Sequence, residues 1–360
     1  MLTHLPFAGD SVRRFELDGW QARTAKEMAR RASWLSVESW LAARVPCQLI
    51  DQRDGVLLRV FPAQSTPFGY SRMMQRAAEA LPADAVLHLH GSRSIMAYSL
   101  MSTRPRKFVQ DHGSLGLSIL TPMEALSLRR AERIYSGSIY KINYLRSIGI
   151  NPSRVQYRTM GVDLDVFSPR DRIESRRRLG IDKDELVLFH AARFDYQKGT
   201  DVVLNAYRAL KGRFEKLALF MVGGSDGDPL YDEVSRTAKY VRSRIPHDLM
   251  PYCYSAADVT CYFWRPPALW YGGGGISAFE SLACGTPVVS NGMMHLSSFE
   301  GVQSAGRGPQ TETAFKEAVA EVLQNRESFR CREFARKYFG WDAVIAATLA
   351  DYEHPLGKAS

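Results

Sequence analysis

Short apolar and β-branched runs alternate along this chain with stretches whose apolar positions recur every three or four residues. The strand pattern falls on residues 36–40, 55–61, 85–90, 107–111, 133–136 and 155–158 in the first half. Helical periodicity falls on 19–31, 70–80, 95–102, 122–131 and 139–148. The second half keeps the rhythm, with strands predicted at 185–192, 217–222, 259–263 and 287–290. Helices are predicted at 200–211, 230–241 and 277–284, and 311–352 reads as helical throughout. Such alternation predicts an α/β protein of parallel sheets covered by helices on both faces, with ligands collecting at the carboxyl ends of the strands. The pattern breaks at 161–169, before the charged stretch 170–178. The expected division is therefore residues 1–160, residues 161–340, and a C-terminal helix, 341–360, placed to cross back to the first domain.

Length agrees, since 360 residues exceed one ordinary core and suit two domains of about 150–200 residues. Hydrophobic residues make up 45% and charged ones 24%, the mix of a soluble globular protein. No apolar run approaches the roughly 18 residues that span a bilayer. The first residues, with Asp10, Arg13 and Arg14 close behind, lack the apolar core of a signal peptide. The expected location is cytoplasmic. Cys47, Cys253, Cys261, Cys284 and Cys331 are odd in number and never spaced as CxxC, which suits reduced core thiols better than disulfides or zinc.

The net charge of +9 is unevenly spread: residues 1–160 hold 22 Lys and Arg against 12 Asp and Glu, and residues 161–360 hold 25 against 26. The surplus is either an arginine-rich solvated surface or a face that meets an anion. A membrane surface and a phosphorylated acceptor are the candidate partners, ahead of nucleic acid, for which no module is visible. Arg72 and Arg76 beside Met73 and Met74, and the cluster Arg129, Arg130 and Arg133, are the candidate contacts for peripheral membrane binding.

Four segments of the second half point to a phosphate-bearing ligand. Arg193 and Lys198 lie where a predicted strand meets a helix, where two cations can hold a diphosphate. Gly223 and Gly224 end the next strand, and either a tight turn or close ligand approach explains them. Tyr271 precedes four glycines, Gly272 to Gly275, that open a helix whose bare amides, with Ile276, form an anion site. Glu280, in the same helix, can accept both hydroxyls of a ribose.

The order and spacing of these segments resemble the retaining glycosyltransferases of family 4, glycosyl transferases group 1, which have the GT-B fold. The likeness rests on Ala192-Arg193 through Lys198-Gly199, on Glu280-Ser281-Leu282-Ala283-Cys284-Gly285-Thr286-Pro287-Val288-Val289, and on the linker Gly161-Val162-Asp163-Leu164-Asp165-Val166-Phe167-Ser168-Pro169. It covers nearly the whole second half. In the first half it rests on His90-Gly91, on His112-Gly113 and on Ser136 before a helix. The resemblance implies two Rossmann-like domains facing across a cleft and a sugar transferred with retention from a nucleotide-sugar to a glycan or lipid-linked acceptor. It also implies donor diphosphate contacts by Arg193, Lys198, Gly273, Gly274, Gly275 and Ile276, ribose contact by Glu280, and a catalytic role for His112. Gly9, His90, Gly223 and Tyr271 are further candidate contacts.

One position departs from the family pattern. The family has two glutamates bracketing seven residues; the second matches Glu280, and the first would fall at position 272, where this chain has glycine. That departure supports a rival reading, a sugar-nucleotide-binding subunit without catalysis. A hydrolysing nucleotide-sugar epimerase is a second rival and would want more acids around the sugar. Asp163-Leu164-Asp165 and Asp226-Gly227-Asp228 have a spacing that can hold a divalent cation, but turn chemistry explains them better. No metal and no cofactor are expected, because Arg193, Lys198 and the helix N-terminus can neutralise the leaving diphosphate.

Overall fold

The computed structural model describes residues 2–4, 20–43, 45–63, 70–92, 94–112, 121–270 and 275–354. The chain forms two compact units, Met1–Gly161 with Val344–Ser360, and Val162–Ala343.

The first unit runs β1 (Leu2–His4), α1 (Trp20–Arg31), β2 (Val37–Ala43), β3 (Leu49–Arg53), β4 (Val56–Pro62), α2 (Arg72–Glu79), β5 (Val86–His90), α3 (Ile95–Met101), β6 (Arg106–Asp111), α4 (Thr121–Leu128), β7 (Arg133–Ser136), α5 (Ile139–Ser147) and β8 (Val155–Tyr157). Its eight strands lie in the order β3-β4-β2-β1-β5-β6-β7-β8. All pairs are parallel except β3 with β4. The core lies between sheet and helices, with Leu87, Leu89, Val109 and Ile134 packed against Met74, Met96, Leu100 and Leu145.

The second unit runs α6 (Arg172–Leu179), β9 (Leu186–Ala191), α7 (Thr200–Leu210), β10 (Leu217–Val222), α8 (Tyr231–Thr237), β11 (Tyr240–Arg242), α9 (Met250–Ala256), β12 (Val259–Tyr262), α10 (Gly275–Ala283), β13 (Val288–Ser290), β14 (Gly306–Arg307), α11 (Glu312–Asn325), α12 (Cys331–Tyr338) and the start of α13 (Trp341–Glu353). Its sheet is parallel throughout, in the order β11-β10-β9-β12-β13-β14. β10 is buried along its whole length and β9 nearly so, as strands covered on both faces require. From Val344 onward α13 belongs to the first unit. There Asp351 pairs with Arg133 and Arg158, and Arg106 donates to the Tyr352 carbonyl.

Three departures from the sequence pattern have physical causes. The helix read over 230–241 stops at Thr237, because 240–242 gains a ladder as β11 beside β10, with Phe220 opposite Tyr240. The tail read as one helix is three. It breaks at Arg326–Ser328, where Arg326 turns to Asp258, and at Gly340, which bridges Val162. Strands β1, β3 and β14 were not visible in the pattern, since β1 and β14 have three residues or fewer and β3 is exposed throughout.

Candidate functional site

In the second unit the sheet grows one way from β9, through β10 and β11, and the other way through β12, β13 and β14. That reversal leaves a crevice outside the carboxyl ends of β9 and β12, where ligands bind in such sheets. The loop leaving β9 carries Arg193 and Lys198. Gly199 follows at φ +67°, and a Cβ there would fall 1.9 Å from the Phe263 carbonyl oxygen. Only glycine lets this loop touch the chain leaving β12.

Asp195 organises the turn. Its Oδ1 accepts from the Lys198 amide at 2.8 Å, and its Oδ2 lies 3.0 Å from an Arg193 Nη2 that is largely in solvent. The half-buried Lys198 rests its ammonium 4.3 Å from the centroid of the Trp264 ring. Burial, and then the Arg193 charge, lowers the Lys198 pKa. A bound anion would relieve that strain between two cations.

Beneath them, buried His190 joins β9, β12 and α7. Its Nδ1 lies 2.8 Å from the Cys261 carbonyl and its Nε2 3.2 Å from Thr200 Oγ1. Burial pushes His190 down to about 4, so the neutral ring donates through Nδ1–H and serves as a strut.

Helix α10 opens at Gly275, close to the Trp264 ring: a Cβ on Gly275 would stand 3.8 Å from its Cζ2. Gly275 and Ile276 are exposed. Glu280, in the second turn, is buried and accepts from Tyr254 Oη at 3.0 Å. Burial and the Glu280 charge raise the Tyr254 pKa well above its ordinary value, so the phenol keeps its proton and donates. Arg193, Lys198, Gly275 and Glu280 thus share this end of the sheet. Gly9, Tyr271, Gly272, Gly273 and Gly274 lie outside the described residues.

The glycines after β10 and the two Asp-x-Asp runs take part in local turns. Gly223 has φ +103°, and a Cβ on Gly224 would stand 2.0 Å from the Phe194 ring, so a tight turn and close packing account for both glycines. Asp228 Oδ2 accepts from the amides of Phe194 and Ser225 at 2.8 and 3.3 Å, and Asp163 Oδ1 accepts from Asp165 and Val166 at 3.0 and 3.1 Å. Among the described residues no three side chains are placed to hold a metal ion.

In the first unit the sheet reverses between β1 and β5, and the second histidine of interest stands one strand further on. His90 ends β5 and His112 follows β6. His90 Nδ1 and His112 Nε2 are 2.9 Å apart, with ring planes within 6°. His90 is buried and His112 half-buried, so His112 is the one a ligand reaches more readily. His88 stacks on His90 and meets Tyr352 Oη through Nδ1 at 2.5 Å.

Beside this pair lies a buried network that sequence reasoning missed. Lys141 Nζ is 3.1 Å from Glu124 Oε1 and 3.8 Å from Asp111 Oδ1, and Ser92 Oγ donates to Glu124 at 2.6 Å. These residues come from four separate segments, and no local spacing signals their meeting. Of the basic candidates, Arg72, Arg76, Arg129 and Arg130 are exposed, with Met73, while Met74 is core. Arg133 pairs with Asp351 at 3.3 Å. No described helix is long and apolar enough to cross a membrane.

Residues 171–338 match the family described as Glycosyl transferases group 1. D-inositol 3-phosphate glycosyltransferase 1 of Catenulispora acidiphila is 26% identical, over 94% of this chain and 91% of that protein. The D-inositol 3-phosphate glycosyltransferase of Frankia alni is 29% identical, over 58% of this chain and 55% of its own length. Among solved structures, sucrose-phosphate synthase from Thermosynechococcus elongatus superposes with TM-score 0.68 at 19% identity, covering 98% of each chain. A glycosyltransferase from Rickettsia africae gives 0.71 at 14% identity, covering 100% of this chain and 99% of that one. Anabaena HepE in complex with UDP-glucose gives 0.65 at 15% identity, covering 97% and 99%. These likenesses give the fold as GT-B, with two Rossmann-like units.

Proposed function

We propose that this chain, whose residues 171–338 match the group 1 glycosyltransferases, uses a nucleotide-sugar donor and transfers its sugar with retention of configuration and without a metal ion. The observation that carries the site assignment is the convergence at the ends of β9 and β12. Gly199 lies on the Phe263 carbonyl, Lys198 on Trp264, and Trp264 beside the start of α10. There Arg193, Lys198 and the first amides of α10 neutralise the leaving diphosphate as the sugar's anomeric carbon exchanges its bond to that diphosphate for one to the acceptor oxygen. Glu280 takes the ribose hydroxyls, and His112 is the catalytic imidazole. Charge neutralisation by fixed cations and dipoles does the work a divalent ion would otherwise do.

A uridine diphosphate sugar is the first donor to test, since HepE was solved with UDP-glucose. An acceptor bearing phosphate suits the cationic surplus of residues 1–160, and the relatives named for D-inositol 3-phosphate take one. A thermal-shift screen of nucleotides and nucleotide-sugars, followed by turnover of the best ligand, tests the reading. A donor at 100 times its Kd stabilises the native state by about 2.7 kcal/mol. Stabilisation with no turnover on any phosphorylated or glycan acceptor would favour the non-catalytic binding subunit, for which Gly272 speaks. If the acceptor is lipid-linked, the protein will co-sediment with vesicles containing anionic lipid, less so at high salt, and not with neutral ones. Equal binding to both kinds of vesicle, or none, leaves a small phosphorylated acceptor.

A further inference from the structure

Trp264 stands two residues beyond the end of β12, after Phe263, and belongs to none of the motifs by which the site is recognised. Its backbone is clamped on both sides by one buried amide: its N–H donates to Asn291 Oδ1 at 2.8 Å, and Asn291 Nδ2 donates to its carbonyl at 2.7 Å. Its ring lies along that of Tyr262, with centroids 5.4 Å apart and planes within 20°. The ring is therefore fixed from the backbone and from one face. Lys198 is fixed as firmly, since its amide is bound by Asp195 and the next residue, Gly199, is pressed on the Phe263 carbonyl. Between these two supports the ammonium stands 4.3 Å from the indole centroid, well inside the range of a cation–π contact.

We propose that Trp264 is a positioning residue for Lys198, a ring that holds the ammonium at the mouth of α10 without neutralising it. The proposal rests on the reading that Lys198 binds the donor diphosphate. The choice of partner matters chemically. Arg193 shares its charge with Asp195 at 3.0 Å, whereas a ring attracts the lysine through its quadrupole and carries no formal charge to compete with phosphate. The same ring abuts Gly275, the first residue of α10, so one side chain sets both the cation and the helix start that would face an anion. The Trp264 Nε1–H is buried and has no hydrogen-bond partner among the described residues. A phenylalanine there keeps a ring face for the lysine and breaks no hydrogen bond.

The test uses the full chain, inorganic diphosphate and UDP as probes, and titration calorimetry of W264L, W264F, K198A and the W264L/K198A double variant. W264L should weaken diphosphate binding by roughly threefold to thirtyfold, and W264F should restore most of that loss. In the K198A background, W264L should add nothing, because the ring acts through the lysine. Affinity unchanged in W264L, or a loss just as large without Lys198, would overturn the inference while leaving the donor site in place. Unchanged affinity in K198A would instead overturn the donor reading itself, and the inference with it. Should W264L fail to fold, NMR of the wild type and W264F decides. The Lys198 ε-methylene protons should be shifted upfield by the indole ring current in the wild type, and unshifted protons would end the proposal.

Discussion

Gly199 and Gly180 provide a matched pair of perturbations. Both sit at φ +67°, but a Cβ on Gly180 meets nothing within 4 Å, while one on Gly199 would stand 1.9 Å from the Phe263 carbonyl oxygen. Gly180→Ala therefore isolates the cost of a left-handed alanine, about 1–2 kcal/mol. Gly199→Ala adds a backbone overlap that only separation of the β9 and β12 loops relieves, and the expected total is at least about 4 kcal/mol, in the range of severe single substitutions. For a unit of this size each kcal/mol lowers Tm by about 2–4 °C. Gly180→Ala should thus lower Tm by about 2–8 °C and Gly199→Ala by clearly more. Because the separation also draws Lys198 from Trp264, Gly199→Ala should weaken UDP binding in the fraction still folded, and Gly180→Ala should not. Differential scanning fluorimetry with urea midpoints gives the stabilities, and calorimetry gives the affinities. Equal midpoints for the two variants would refute the close approach as the reason for glycine at 199.

The double variant Arg193→Ala/Lys198→Ala should lose well over tenfold in donor kcat/KM with its fold intact, since each charge-assisted contact to phosphate contributes about 1.5–3 kcal/mol. Retention of more than about a tenth of wild-type kcat/KM would move the diphosphate elsewhere. Glu280→Gln should weaken UDP binding more than binding of inorganic diphosphate, and equal losses would remove the ribose assignment. His190, held neutral with its pKa near 4, binds a proton more readily unfolded, at about 6.5. Its contribution is complete above pH 6.5 and falls away as the pH drops from there toward 4, by on the order of 3 kcal/mol. His190→Gln should therefore flatten the fall of Tm between pH 6.5 and 4, and an unchanged slope would show that His190 is not the group responsible.

The helix–strand alternation was legible because a strand buried on both faces must be apolar for its whole length, as 217–222 is, whatever lies around it. The Arg193, Lys198 and Glu280 pattern was legible because its parts sit at fixed distances along the chain. Harder to read were segments whose structure is paid for by neighbours. The strand at 240–242 exists because Phe220 offers it a ladder, and Gly224 is small because the Phe194 ring fills its place.

Local pattern by itself determined the α/β class and the position of the basic loop before α7, since periodicity and turn chemistry are properties of neighbouring residues. Tertiary structure alone decided which side chains meet. It set Trp264 under Lys198, His90 against His112, and Lys141 between Glu124 and Asp111. Such pairings are fixed by strand order and by which loops emerge side by side. Strand order in turn follows from how two sheets bury their faces, a balance over the whole chain that no short segment records.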